Sequence, residues 1–138
     1  GTQGLVKNPH GFQFVATGAQ SSILTAAFKR YHALCFSAAA SSHQGGGAAP
    51  TNTSELVGLD VNVTSAELEL SLTTSENYTL HVGYPRATLV AVTVFGALRG
   101  LETFSQLLQD DHTITAQTVV DWPRFPFRGV RCASSSHR

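Results

Sequence analysis

The sequence predicts a single α+β domain, in which an antiparallel or mixed β-sheet is covered on one face by two α-helices. Its 138 residues suit one domain. Two segments place apolar residues at three- and four-residue spacing, as amphipathic helices do, and several shorter segments alternate or are rich in β-branched residues, as strands are. The predicted order of elements is βαββββαβ, and four strands grouped between two helices favour this layout.

The first strand is predicted over residues 12–15, and the first helix follows over residues 23–34. Either Ser21 or Ser22 is placed to cap the first turn of this helix by accepting a hydrogen bond from an unpaired backbone N–H. The side of the helix that is expected to face the core consists of Ile23, Leu24, Ala27, Phe28, Tyr31 and Leu34.

Residues 67–72 alternate strictly between polar and apolar side chains, which predicts a half-buried strand with Leu68, Leu70 and Leu72 facing the core. A polar turn separates this segment from a further strand at 78–82, so the two are expected to form a hairpin. The remaining strands are predicted over residues 56–63, 88–94 and 113–120, the last range holding one strand or two.

The second helix is predicted over residues 96–108. Gly96 and Gly100 are four positions apart and therefore lie on one side, where they allow another backbone to come close. Arg99 and Glu102 are expected to form a surface pair. The apolar face of this helix consists of Ala97, Leu98, Leu101, Phe104, Leu107 and Leu108.

Composition excludes some classes of function. Nine basic and nine acidic residues give a net charge of zero, so the chain has no electrostatic footprint for nucleic acid or an anionic membrane. No apolar run approaches the roughly 20 residues of a membrane-spanning helix. The sequence contains no methionine and no signal-peptide pattern, so we expect a processed chain or a fragment of a longer one.

Cysteines and glycosylation sequons bear on the compartment of the protein. Cys35 and Cys132 are equally compatible with a disulfide and with two separate thiols. Three segments match the N-x-[ST] pattern of N-linked glycosylation, at Asn52, Asn62 and Asn77. These sequons make N-linked glycans a possibility and favour the secretory pathway.

No arrangement of residues in the sequence predicts a catalytic or metal site. Glu67 and Glu69 would share one face of a strand, but that face is expected to meet water. Asp110 and Asp111 are adjacent and should point apart at the end of a helix. The histidines lack metal-ligand spacing, so neither a metal nor a cofactor is expected; they are His10, His32, His43, His81, His112 and His137.

One stretch carries a family resemblance. Residues 94–107, VFGALRGLETFSQL, resemble the signature helix of eukaryotic lysosomal and plant-type β-N-acetylhexosaminidases, glycoside hydrolase family 20. Three further segments resemble the same family in the same order: AFKRYH at 27–32, SENYTL at 75–80 and DWPRFPFRG at 121–129. The resemblance spans roughly residues 12 to 130 and identifies the N-terminal domain of the family.

The resemblance implies a fold and a role. In the family this domain is an antiparallel sheet covered by two helices, and it supports a catalytic (β/α)₈ barrel that follows it. The barrel removes terminal N-acetylhexosamine from glycans by substrate-assisted retention, with an adjacent Asp-Glu pair. Nothing in this sequence matches that pair. We therefore expect a non-catalytic domain over residues 1–121, with a flexible loop at 37–54, and a linker with the vestigial start of a barrel over 122–138.

The end of the sequence departs from the family pattern. Ala133 stands where the family has Asp, and Ser136 where it has the sugar-binding Arg. Catalytic and substrate-binding residues are accordingly expected to be absent from the chain.

Two further functions compete with that of a supporting domain. One is a stand-alone structural or interaction subunit of a larger assembly. The other is a lectin-like domain, which has weak support because Trp122, the only tryptophan, is expected in the linker rather than on a sugar-stacking platform. The expected partners are a catalytic barrel or other protein subunits. The expected location is the secretory pathway, a lysosome or vacuole, or the extracellular space.

Overall fold

The computed structural model describes residues 2–37 and 53–125. Two helices, eight strands and one 3₁₀ turn are present in these two ranges. The strands are β1 (Gln3–Leu5), β2 (Gln13–Ala16), β3 (Ser54–Glu55), β4 (Gly58–Val63), β5 (Tyr78–Val82), β6 (Arg86–Ala91), β7 (Thr113–Thr115) and β8 (Gln117–Asp121). The helices are α1 (Ser22–Phe36) and α2 (Val94–Leu107), and the 3₁₀ turn spans Pro9–Gly11.

The main sheet has five strands in the order β2-β4-β6-β5-β8. Strands β2, β4 and β6 are parallel to one another, and β5 runs antiparallel to both β6 and β8. A second sheet of three short strands has the order β3-β1-β7. The predicted α+β class with a mixed sheet is therefore confirmed. The strand β1 was not predicted, because three residues are too few for an alternating pattern.

Both helices begin where a hydroxyl side chain accepts a hydrogen bond from the first turn. Ser21 accepts from the N–H of Leu24 at 3.2 Å, which selects Ser21 over Ser22 as the cap. Thr93 accepts from the N–H of Gly96 at 3.3 Å and is itself buried. These bonds satisfy donors that an α-helix leaves unpaired at its first turn.

The hydrophobic core lies between the helices and one face of the main sheet. Phe104 of α2 is fully buried and stacks beside Phe12 at a centroid distance of 5.9 Å. The inward side chains of the central strands are fully buried as well, and they are Leu59, Val61, Leu80, Ala87 and Leu89. Within residues 2–37 and 53–125, both helices lie on this face and no helix lies on the opposite face of the sheet.

Helix α2 approaches the sheet closely at its two glycines. A Cβ atom added to Gly96 would lie 2.5 Å from the carbonyl oxygen of Asn77, just before β5. A Cβ atom added to Gly100 would lie 2.3 Å from a methyl carbon of Leu89 on β6. The close approach predicted from the glycine spacing is confirmed. At Gly96 the helix contacts the backbone of Asn77.

The prediction of a strand over residues 67–72 is wrong. This segment pairs with no strand, and Leu68, Leu70 and Leu72 are 53%, 67% and 68% exposed. The expected hairpin partner β5 already has β6 on one side and β8 on the other, so no edge of β5 remains to be paired. The segment ends in a turn in which Ser71 and Thr74 hydrogen-bond to each other.

Two details of the helices also differ from expectation. Leu34, predicted to face the core, is 60% exposed, because the buried side of α1 runs through Tyr31 to Cys35 instead. Arg99 does not pair with Glu102. It reaches out of the helix and donates from Nε to Glu76 at 3.1 Å.

Most of the predicted loop at 37–54 lies outside the described residues. Ser37 ends α1 as its C-cap, and Ser54 belongs to β3, so the loop prediction is wrong for Ser54. The predicted boundary at residue 121 coincides with the last residue of β8 and remains a prediction as a domain boundary.

Gly96→Ala should destabilise the domain although alanine is the better helix former. The added methyl group meets a backbone oxygen that cannot rotate away, so we expect the free energy of unfolding to fall by about 1–3 kcal/mol. Urea denaturation measures it. The matched control is Ser105→Ala on an outer part of the same helix, expected within about 0.5 kcal/mol of the parent. A Gly96→Ala variant as stable as the parent would contradict this account of the contact.

Candidate functional site

The first candidate surface is the open face, the side of the main sheet that carries no helix. Its residues follow from the strand register, in which neighbouring strands place them side by side. The central row across the face consists of Val15, Asp60, Thr88, His81 and Thr118, and the next row consists of Asn62, Val90, Thr79 and Val120. Most of these side chains are polar, as is typical of a sheet face that meets water.

Polar groups of the open face are satisfied within the face. Arg86 donates to Asp60 through two nitrogens, Nε at 3.0–3.1 Å and Nη2 at 2.7 Å. This hydrogen bonding lowers the pKa of the Asp60 carboxyl group. His81 shares a 2.8 Å hydrogen bond with Thr118. Because these side chains are paired with each other, the carboxylate and the imidazole on this part of the face do not point toward a common site.

A groove of about 290 Å³ lies at one end of the open face, and we call it the Trp122 groove. Trp122 is 64% exposed there, directly after β8, and Val92 is 47% exposed beside it. The groove is lined by Thr64, Asn77, Tyr78, Thr79, Val90, Ala91, Val92, Val120, Asp121 and Trp122. It is the most apolar part of an otherwise polar face.

Two of the three predicted glycosylation sequons lie on this same side of the molecule. Asn62 is exposed in β4, and its register partner is Val90 on the middle strand β6. Asn77 is exposed directly before β5 and lines the Trp122 groove. Asn52 lies outside the described residues. The occupancy of all three remains a prediction.

The second candidate surface is the outer side of the two helices, which we call the helix layer. A groove of about 280 Å³ runs between α1 and α2. The exposed Leu34 stands on its rim, and the buried Cys35 contributes to its lining. The other lining residues are Glu102, Ser105, Gln106, Leu108 and Asp110.

One charged hydrogen bond joins the two helices across the helix layer. The hydroxyl group of Tyr31 donates to Glu102 at 2.7 Å, and Gln106 donates to the same carboxylate at 3.0 Å. The bond from Tyr31 is the main reason why the pKa of Glu102 is lowered, and the positive charge of Arg30 contributes. The ionised side chain of Glu102 therefore links α1 to α2.

The described residues contain no converged catalytic group. Glu67 and Glu69 are both exposed on a segment without regular structure. Asp111 accepts hydrogen bonds from the N–H and the hydroxyl group of Thr113, at 3.1 and 2.6 Å, so it fixes the turn after α2. No three His, Cys, Asp or Glu side chains in residues 2–37 and 53–125 are grouped to hold a metal ion.

The thiol of Cys35 is buried beneath the helix layer, and burial raises its pKa to about 11. It is a free cysteine, while Cys132 lies outside the described residues, as do Ala133 and Ser136. A protonated, buried thiol is a poor nucleophile. Within the part of the chain that the structure describes, no helix is long and apolar enough to cross a membrane.

The Trp122 groove and the inter-helix groove were both missed by sequence reasoning. The first depends on Trp122 following β8, which the register places beside β5. Only that pairing brings Trp122 next to Asn77, forty-five positions away in the chain. The one local signal for this groove was the sequon at residues 77–79, in which successive residues point to opposite faces of the sheet.

The fold defines an α+β module, in which a mixed five-stranded sheet is covered on one face by two helices. Comparison with known proteins gives its family. The profile of a family described as "beta-acetyl hexosaminidase like" matches residues 1–107. The chain is 42% identical over 125 residues to the beta-hexosaminidase subunit beta of Sus scrofa, covering 87% of this chain and 23% of that protein.

Two further comparisons agree. The beta-hexosaminidase subunit alpha of Mus musculus is 38% identical over 147 residues, with 94% of this chain and 26% of that protein covered. The crystal structure of a chitobiase from Flavobacterium johnsoniae superposes with a TM-score of 0.70 at 26% identity, over 92% of this chain and 20% of that one. The chain belongs to the glycoside hydrolase family 20 hexosaminidases, of which it represents the N-terminal-like domain. It spans about a quarter of the length of the curated relatives it matches.

Tyr31→Phe should destabilise the domain in a pH-dependent way. The folded state lowers the pKa of Glu102, so the stability contributed by this bond is complete above the ordinary glutamate pKa and is lost as pH falls through the lowered one. We expect the variant to lose about 1 kcal/mol at pH 7 and less at pH 3. Urea unfolding at both pH values measures it.

Tyr78→Phe is the matched control. The Tyr78 hydroxyl group is bonded to Thr103 at 2.5 Å, and both partners are neutral. Loss of this hydrogen bond should lower the free energy of unfolding by a similar amount at pH 7 and at pH 3. If the two variants showed the same pH dependence, the Tyr31 bond would not be the cause of the shifted pKa of Glu102.

Proposed function

We propose that this chain is the non-catalytic supporting domain of a β-N-acetylhexosaminidase that removes terminal N-acetylhexosamine from glycans. The proposal is carried by one observation: the chain matches a whole α+β domain but only about a quarter of each hexosaminidase subunit. The remaining three quarters of those proteins have no counterpart in it.

We propose further that the helix layer packs against the catalytic domain. Leu34 is 60% exposed there beside the inter-helix groove, and an apolar side chain on a groove rim gains most from being covered. The open face is less suited, because its polar groups pair with one another and it carries Asn62 and Asn77. A sugar on either asparagine would keep a protein surface away from that face.

A secretory route, ending in a lysosome, a vacuole or outside the cell, is proposed with this function. The relatives are named as beta-hexosaminidase subunits, and the sequons at Asn62 and Asn77 are both exposed in the folded domain. The alternative role, a stand-alone subunit of a larger assembly, would use the same uncovered Leu34 for a different partner.

The isolated chain should cleave no chromogenic N-acetylglucosaminide. Robust turnover by purified residues 1–138, at a rate above that of a mock purification, would refute the non-catalytic role. The positive control is a hybrid in which this chain replaces the matching region of the Sus scrofa subunit, which should hydrolyse the same substrate.

Leu34→Glu in that hybrid should lower the Tm of the catalytic part, because a charge would be buried at the interface. In the isolated domain the same change should alter the free energy of unfolding by at most about 0.5 kcal/mol, because the side chain is exposed. Val120→Glu is the matched control. Val120 is 58% exposed, nearly as much as Leu34, but lies on the open face. A larger decrease in the Tm of the catalytic part with Val120→Glu than with Leu34→Glu would place the interface on the open face instead.

A further inference from the structure

The sequon at Asn77 and the Trp122 groove occupy the same place on the molecule. Tyr78, the middle residue of the sequon, points inward and is 5% exposed. Asn77 and Thr79 therefore point to the open face on either side of it, and both line the groove. The acceptor amide and the hydroxyl group that completes its sequon are thus presented together on an accessible surface.

The strand register places apolar side chains on both sides of this sequon. Tyr78 pairs with Ala91 on β6 and with Asp121 on β8. Asn77, Val92 and Trp122 each stand directly outside these paired ranges, and all three line the groove. Thr79 pairs with Val90 on one strand and with Val120 on the other.

These apolar side chains have no cover within the described residues. Val92 is 47% exposed, Val120 is 58% exposed and Trp122 is 64% exposed. An exposed apolar groove on a polar face marks a binding surface. At about 290 Å³ it falls at the lower limit of ligand pockets, so it has room for one sugar ring rather than for an oligosaccharide.

We infer that Asn77 carries an N-linked glycan whose first N-acetylglucosamine packs into the Trp122 groove against the indole ring. The apolar C–H face of the sugar and the ring of Trp122 both lose water on contact, and the short tether to Asn77 removes most of the entropic cost of bringing them together. This inference rests on the proposed secretory route and not on the supporting role.

The attachment requires a glycosyl donor, here an oligosaccharide linked to a lipid through pyrophosphate. The amide nitrogen of Asn77 forms a bond to the anomeric carbon while the bond from that carbon to the pyrophosphate oxygen breaks. The lipid pyrophosphate leaves with the bonding electrons, and the amide nitrogen gives up one proton. No oxidant or reductant is consumed.

Asn62 provides an internal comparison. It is exposed on the same face and has its own sequon, but its register partner is Val90, on the strand β6. Two strands, β6 and β5, separate it from β8 and Trp122. A glycan at Asn62 should therefore leave the environment of Trp122 unchanged.

The test is secretion of residues 1–138 from a eukaryotic host, with site occupancy read by peptide mass spectrometry. Trp122 is the only tryptophan of the chain, so its fluorescence reports on the groove alone. We expect Asn77 to be occupied. An endoglycosidase that leaves the first N-acetylglucosamine in place should not change the emission, whereas complete removal of the glycan should shift it to the red and lower the Tm.

Complete enzymatic removal converts Asn77 to aspartate, so Asn77→Gln secreted from the same host serves as the uncharged comparison and should show the same red shift. Asn62→Gln should show none. An unoccupied Asn77 in the secreted protein would overturn the inference. So would an occupied Asn77 whose removal leaves the Trp122 emission and the Tm unchanged. Either result leaves the activity test of the hybrid enzyme unaffected, so failure here and failure of the supporting role are distinguishable.

Discussion

The contact between helix α2 and the start of β5 is the constraint on which the rest of the structure depends. Gly96 brings the helix backbone against the carbonyl oxygen of Asn77, closer than any side chain would permit. Because the helix lies this close to the sheet, Phe104 reaches the middle of the core. The contact lies one residue before Tyr78, where β5 begins its pairing with β8.

The two faces of the sheet have divided roles for a physical reason. Successive side chains along each strand point to opposite faces, so one face is buried beneath the helices while the other holds hydrogen-bonded pairs such as Asp60 with Arg86. Charged groups on the helix layer serve structure as well, since Glu102 ties α1 to α2 through Tyr31. Of the apolar side chains that remain exposed, we assign Leu34 to a contact with a protein partner and those of the Trp122 groove to a contact with a sugar.

The sequence alone predicts the fold class, both helices, a cap at Ser21 or Ser22 and a close approach on the side of Gly96 and Gly100, because each has a local signal. It fails where the outcome depends on distant partners. The alternation of residues 67–72 is as clear as that of β5, yet β5 is already paired on both edges. Neither surface site is predictable either, because the residues of each groove come from separate elements that only the tertiary structure brings together.

The central claim is that this domain supports a catalytic domain without contributing to its chemistry. Differential scanning calorimetry of the hybrid with the Sus scrofa subunit tests it most directly, when compared with the catalytic part alone. The account predicts a single or strongly coupled transition in which the catalytic part unfolds at a higher temperature than it does by itself. Two independent transitions, with the catalytic part melting at the same temperature with and without this domain, would contradict it.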